Sequence, residues 1–253
     1  NSEDDSINNQ QQENEQKSKD DKDQENQEMS IDSGLPDIEL PTDIAIPAVM
    51  YRFAIKYGVK TIISGGNISN EGILPACWMY NVKDTLFSES IIRKAGYSSK
   101  IFRPIRYGFR DELKHRFINK IENFYPLNYF NYDKEVAKTE LQRKLGWESP
   151  IGKHCESTYT RFCHLIYQPK RNKIDYRRAR LSTDILQRKV SRNKVLNILK
   201  KPAWSELDVD NELNFISYKL GYKKGELVKI MNMPSKWYTE FSNRSKFLGF
   251  SYD

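Results

Sequence analysis

Apolar residues are almost missing from the first thirty-two positions, where only Ile7, Met29 and Ile31 interrupt a run of Asn, Gln, Asp, Glu, Lys and Ser. Such a stretch cannot bury enough surface to offset chain entropy, so residues 1–36 are expected to form a disordered acidic tail. Long apolar runs are absent from the rest as well. Nothing approaches the roughly 18 residues of a membrane span, and the polar start is unlike a signal peptide, which points to the cytoplasm. Cysteine is scarce: Cys77, Cys155 and Cys163 are odd in number and lack C-x-x-C spacing, so neither a disulfide framework nor a zinc site is indicated.

Positive charge, by contrast, is plentiful once the tail is set aside. Residues 1–32 hold eleven Asp and Glu against three Lys, a net −8, so the +7 of the whole chain leaves +15 on the remainder. A basic folded part implies an anionic partner, whether nucleic acid, a phosphate-rich small molecule or an acidic membrane surface; a solvated Lys-rich face is the plainer alternative. The basic residues are spread through helices without a stacking platform, which makes nucleic acid the weaker of these.

Beyond a Pro-marked linker (Leu35-Pro36, Leu40-Pro41), the spacing predicts a helix from Thr42 to Tyr57, capped by Thr42 and ended by Gly58, with Ile46, Val49, Met50, Phe53 and Ala54 as its buried stripe. Val59 to Ile63 is too short for a helix and reads as a buried strand. It runs into Ser64-Gly65-Gly66-Asn67, a Gly-rich loop at the carboxyl end of a strand, where α/β folds hold ligands. The stretch SGGNISNEGILP (64–75) is therefore a nucleotide or substrate loop, with Glu71 placed to hold Mg2+ or orient a nucleophile, or else a tight turn with a capping Glu. Further helices are expected over Asp84–Ala95 and Arg110–Asn123, a strand within Phe124–Tyr132, and a helix from Asp133 to Leu145.

From Glu156 onward the pattern is helical: Ser157 to Tyr167, a helix capped by Asp175, Ser191 to Lys200, Asp208 to Leu220 and Lys224 to Met231. In the first of these Tyr159, Phe162, Cys163 and Ile166 make an apolar stripe. Ser157, Thr160, Arg161 and His164 make the opposite one, either a wet face or the wall of a site. In the second, Arg178 falls at a common angle with Ile174, Leu181 and Ile185, which predicts a guanidinium inside an apolar stripe that needs a carboxylate or phosphate. The division is thus a tail (1–36), a partial α/β unit (37–132), a helical subdomain (133–235) and a C-terminal tail (236–253) of no assigned role.

Three stretches carry a resemblance: PTDIAIPAVMYRFAIKYGVKTIISGGNISNEGILP (41–75), LGWESPIGKHCESTYTRF (145–162) and IDYRRARLSTDILQRKVSRNKVLNILKKP (174–202). They resemble the N-acetyl sugar amidotransferase family of the PP-loop ATP pyrophosphatases, which works in bacterial surface polysaccharide biosynthesis. The resemblance implies a partial doubly wound, PP-loop-like α/β fold followed by a mainly helical subdomain. It implies conversion of an acetamido group on a nucleotide-linked sugar to an acetamidino group, with ATP and Mg2+. Ammonia would come from a glutaminase through a cyclase-like subunit.

On that reading Ser64, Gly65, Gly66 and Asn67 lie at the nucleotide, and Glu71, His154 and Glu156 are catalytic, with Glu71 also the Mg2+ ligand. Lys153, Arg161, Asp175, Arg177, Arg178 and Ser182 bind phosphate or sugar. The sequence also departs from the family pattern. The SGGxDS loop expected upstream is missing, Ile68 stands where its Asp would be in the similar SGGNIS segment, and Ile44 replaces the usual His after Thr42-Asp43. The chain is expected to be the C-terminal part of such an enzyme, a split subunit paired with a PP-loop-bearing half, or a catalytically inactive module that binds a nucleotide sugar or a partner.

Overall fold

The computed structural model describes residues 24–75, 78, 80–98, 100, 106–148 and 155–250. Its elements follow in chain order. Helix α1 spans 24–33 and α2 Leu40–Lys56; strand β1 is Thr61–Ile63, followed by the short α3 (Ile68–Glu71) and by α4 (Thr85–Lys94). Helix α5 (Phe109–Leu113) continues as a π-helical turn over Lys114–Ile118, and β2 is Glu122–Phe124. Then come α6 (Lys134–Leu145), α7 (Thr158–Phe162) with a π-helical continuation over Cys163–Asn172, α8 (Arg177–Leu186), α9 (Arg192–Leu199), α10 (Val209–Lys219), α11 (Lys224–Asn232) and α12 (Ser245–Phe250). The architecture is mostly helical with a small parallel sheet, an α/β mixture in which β1 pairs with β2 in the register Thr61 to Glu122 and Ile63 to Phe124.

Two apolar cores hold these elements. One joins α2 and α4 through Ile44, Tyr51, Phe87 and Ile91, and it draws in Phe241 from the end of the chain. The other joins the α7 region to α10 and α11 through Phe162, Ile166, Tyr167, Ile216 and Leu227. Helix α1 lies within the stretch expected to be disordered, and its few apolar residues explain the difference. Met29 is buried in the first core and Ile31 in the second, and Leu35 and Ile38 repeat that alternation. The C-terminal stretch also acquires a place: Lys236 N–H donates to the Gly34 carbonyl (3.0 Å), and Arg244 reaches the Asp84 carboxylate with both its N–H and its guanidinium.

Several elements differ from expectation. The N-cap of α2 is Glu39 rather than Thr42, with Pro41 in the tolerated first turn. The face it buries is Ile44, Ala48, Tyr51 and Ala54, while Ile46, Val49, Met50 and Phe53 are exposed. A helix apolar on two sides carries two stripes of helical spacing, and spacing alone does not say which one the core takes. Strand β1 is not buried: Thr61 and Ile63 face solvent, and all three β2 residues are exposed. The expected strand over 124–132 begins earlier and keeps only Phe124, because Pro126 starts a 3-10 turn (Pro126–Asn128).

Candidate functional site

A concentration of interacting polar groups lies where the two cores meet. Ser157 caps α7 by accepting the Thr160 N–H (3.3 Å), and helical spacing then sets Thr160 and His164 one turn apart on the same side. Both reach Glu39, which is only 8% exposed. Thr160 Oγ1 donates to Glu39 Oε1 (2.6 Å), and His164 Nε2 lies 3.0 Å from Glu39 Oε2. Tyr159 OH donates to the neighbouring Ile38 carbonyl (3.0 Å). The polar stripe of α7 is therefore a wall, and the chain entering α2 is what it faces.

More acid surrounds this pair. Asp37 Oδ1 accepts the Glu39 N–H (3.0 Å), and Asp43 follows Glu39 by one turn of α2. Burial pushes the Asp37 carboxyl up, and the Glu39 charge adds to the rise. The Asp43 carboxyl, though exposed at the surface, is also pushed up, by desolvation and then by the charges of Asp37 and Glu39, with His164 opposing. The His164 ring packs on Tyr176 (4.7 Å between centroids), which meets Trp78 edge-on at 5.7 Å. Beside them is a cavity of about 20 Å³, room for one water, lined by Asp37, Tyr80, Gln168 and Tyr176 among others. Carboxylates of unequal environment around an imidazole suit proton transfer or the holding of a cation.

The Gly-rich loop is built differently. Asn67 caps α3 by accepting the Asn70 N–H (3.0 Å), Gly66 N–H donates to Ser64 Oγ (3.2 Å), and Ile68 N–H to Asn128 Oδ1 (2.9 Å). Glu71 N–H goes to the Asn67 carbonyl (3.1 Å). A Cβ on Gly66 would sit 3.2 Å from Glu71 Oε2, so the Glu71 carboxylate folds over the loop. The Gly66, Ile68, Asn70 and Glu71 amides are thus spent on the turn and its neighbour Asn128, which leaves fewer donors than the fan a triphosphate needs. The loop does meet the second half of the chain, since α3 packs on α8 and the Gln187 amide donates to the Ser69 carbonyl.

The other expected residues are dispersed. Arg161 bonds Glu212 Oε1 of α10 (2.6 Å). Asp175 grips Arg177 through both oxygens (2.9 and 2.7 Å), and Arg177 Nη2 also donates to the Lys201 carbonyl (2.8 Å). Ser182 Oγ donates back to the Arg178 carbonyl (2.7 Å). Arg178 is exposed, not set in an apolar stripe, because α8 starts at Arg177 and Ile174 precedes its spiral; the buried residues are Ala179, Leu181 and Thr183. Glu156 is exposed, and Lys153 and His154 lie outside the described residues.

Sequence reasoning passed over Asp37 and Glu39 because they precede the helix they serve. Their signal is the acid pair set between Pro36 and Pro41, facing a polar stripe more than a hundred residues away.

Residues 156–252 match the family described as LPS biosynthesis protein WbpG-like, C-terminal domain. No curated protein and no solved structure matches the chain. The matched stretch runs from the start of the α7 wall through α12 and holds Thr160, Cys163 and His164. This part of the chain is thus similar to a domain of proteins that make lipopolysaccharide. Among the described residues no helix is long and apolar enough to cross a membrane.

Proposed function

We propose that this chain is the C-terminal part of an ATP-dependent amidotransferase. It would convert an acetamido group of a nucleotide-linked sugar to an acetamidino group in cytoplasmic lipopolysaccharide biosynthesis. The match over residues 156–252 carries this reading, and the three stretches similar to N-acetyl sugar amidotransferases support it. ATP and Mg2+ are the cofactors of the complete enzyme. Their phosphate-binding loop belongs to a PP-loop-bearing half that completes the doubly wound sheet, and ammonia arrives from glutaminase and cyclase-like partners. The reading assigns Lys153, His154, Glu156, Arg161, Arg177 and Arg178 of this chain to the sugar nucleotide.

The test is pyrophosphate release from ATP in the presence of a UDP-diacetamido sugar and ammonium. This chain alone should release none, and co-purification with a PP-loop-bearing half should restore release. Absence of release with that half and both ammonia-supplying partners present would refute the reading. A second reading, a non-catalytic nucleotide-sugar-binding module, is favoured by the self-satisfied amides of the Gly-rich loop. It predicts UDP-sugar binding by calorimetry without turnover under every combination of partners.

A further inference from the structure

We propose that Glu39, Cys163 and His164 form a site for a divalent transition-metal ion of the zinc class. The site is independent of the amidotransferase reading. One carboxylate oxygen, the Cys163 sulfur and one imidazole nitrogen all lie within 4.8 Å of one another. A sulfur, nitrogen and oxygen set suits zinc and its borderline neighbours, whereas Mg2+ and Ca2+ prefer oxygen alone. Glu39 and Cys163 are buried, and the His164 side chain is 21% exposed.

A plain Glu–His pair braced by Thr160 would account for two of the three groups. It does not account for the sulfur beside them or for what surrounds that sulfur. Gln168 Nε2 donates to Cys163 Sγ (3.6 Å), and the Ile38 N–H points at the same atom. A metal-bound thiolate would use both donors.

An independent observation comes from the cavity. Gln168 is wholly buried, yet its Oε1 has no hydrogen-bond partner while the residue lines the water-sized space shared with Asp37. A buried amide oxygen left without a donor costs free energy, and a metal-bound water there would donate to it. Gln168 links the two places, since its Nε2 reaches the Cys163 sulfur and the residue lines the cavity. Asp37, whose Oδ1 accepts the Glu39 N–H, and Asp43, one turn further along α2, are the other carboxyls beside the site. The backbone supplies the convergence: the helix turns π-helical from Cys163, and the wider turn narrows the angle between the consecutive side chains of Cys163 and His164.

The spacing rule for cysteines misses such a site because its thiol and imidazole are adjacent, and its carboxylate comes from the other end of the fold.

The experiment titrates the full chain, stripped with a chelator, with Co2+ as a spectroscopic probe. Uptake of one ion per chain with a thiolate-to-cobalt charge-transfer band is expected, with Zn2+ displacing it and excess Mg2+ leaving it unchanged. Cys163→Ser should abolish the band, and Glu39→Gln should weaken binding by about tenfold or more. Cys77→Ser and Cys155→Ser should keep it. If Cys163→Ser does not fold, His164→Ala in the Cys77→Ser, Cys155→Ser background gives the same reading through a weakened band. A folded wild-type chain that shows no charge-transfer band would overturn the proposal. So would a band that survives Cys163→Ser or disappears with Cys155→Ser.

Discussion

Arg161 and Arg178 look alike in the sequence, two arginines on helical stripes near the candidate site, and their surroundings give them opposite weights. Arg161 is 24% exposed and Glu212 only 13%; the pair ties α7 to α10, with Arg161 Nε and Glu212 Oε2 buried and otherwise without partners. Removing one member strands the other's charge, so Arg161→Ala and Glu212→Ala should each cost about 1–3 kcal/mol. The double variant should cost less than their sum by about 0.5–3 kcal/mol. Urea denaturation of the four proteins measures this, and strict additivity would show that the pair contributes nothing to folding. Arg178→Ala, at an exposed site, should stay within about 0.5 kcal/mol of the parent. The contrast explains what was legible at this scale. Spacing says which residues share a face, but whether a cation meets a carboxylate depends on a partner 51 positions away, and no local pattern encodes that distance.

Several helix ends were legible, because caps are local chemistry, although α2 starts from Glu39 rather than Thr42 and α8 from Tyr176 rather than Asp175. Asp84, Asp133, Ser191 and Asp208 each accept N–H groups of the first turn of α4, α6, α9 and α10, and Gly58, Gly96 and Gly146 end α2, α4 and α6 with positive φ of 68°, 82° and 64°. Asp84 does more than the others. It is 3% exposed; Oδ1 accepts Leu86 N–H at 3.0 Å and Phe87 N–H at 3.4 Å, and Oδ2 takes the Arg244 N–H. Asp84→Ala should therefore cost more than the ~1 kcal/mol typical of a lost cap, since it also releases the C-terminal stretch from α4. Asp84→Asn, which keeps one capping oxygen but sets an amide N–H against the Arg244 N–H, should recover only part of that loss. Thermal midpoints of the two variants check this, and equal losses would show that charge, not capping, is what matters. Faces were less legible than ends. Helix α2 has apolar residues on two sides, so its buried side was decided by Phe87 and Ile91 of α4, which no periodicity within α2 could reveal.

At the scale of the whole molecule, the two apolar cores are bridged by the stretch that looked least foldable. Residues 29–38 alternate between the cores, Met29 and Leu35 in one, Ile31 and Ile38 in the other. Their polar neighbours are anchored too. The Asp32 carboxylate accepts the hydroxyls of Tyr97 and Tyr222, both at 2.8 Å, one from each side of the junction. The polar composition of the stretch hid this, because a few well-placed apolar residues suffice when other elements supply the rest of the core. Each large-to-small loss in such a core costs about 2–5 kcal/mol, and a whole domain has only about 5–15 kcal/mol in hand. A chain begun at residue 37 forfeits Met29, Ile31 and Leu35 together and should lack a cooperative thermal transition, while one begun at residue 24 keeps every contact described above and should melt like the parent. The same alternation requires the two cores to unfold as one. Fluorescence of Trp204, packed against the second core, and hydrogen exchange at Ile91 and Ile92 in the first should report a single midpoint in the chain from 24. A cooperative transition in the chain from 37 would show that the cores stand without the bridge, and separate midpoints in the longer chain would show that the bridge does not couple them.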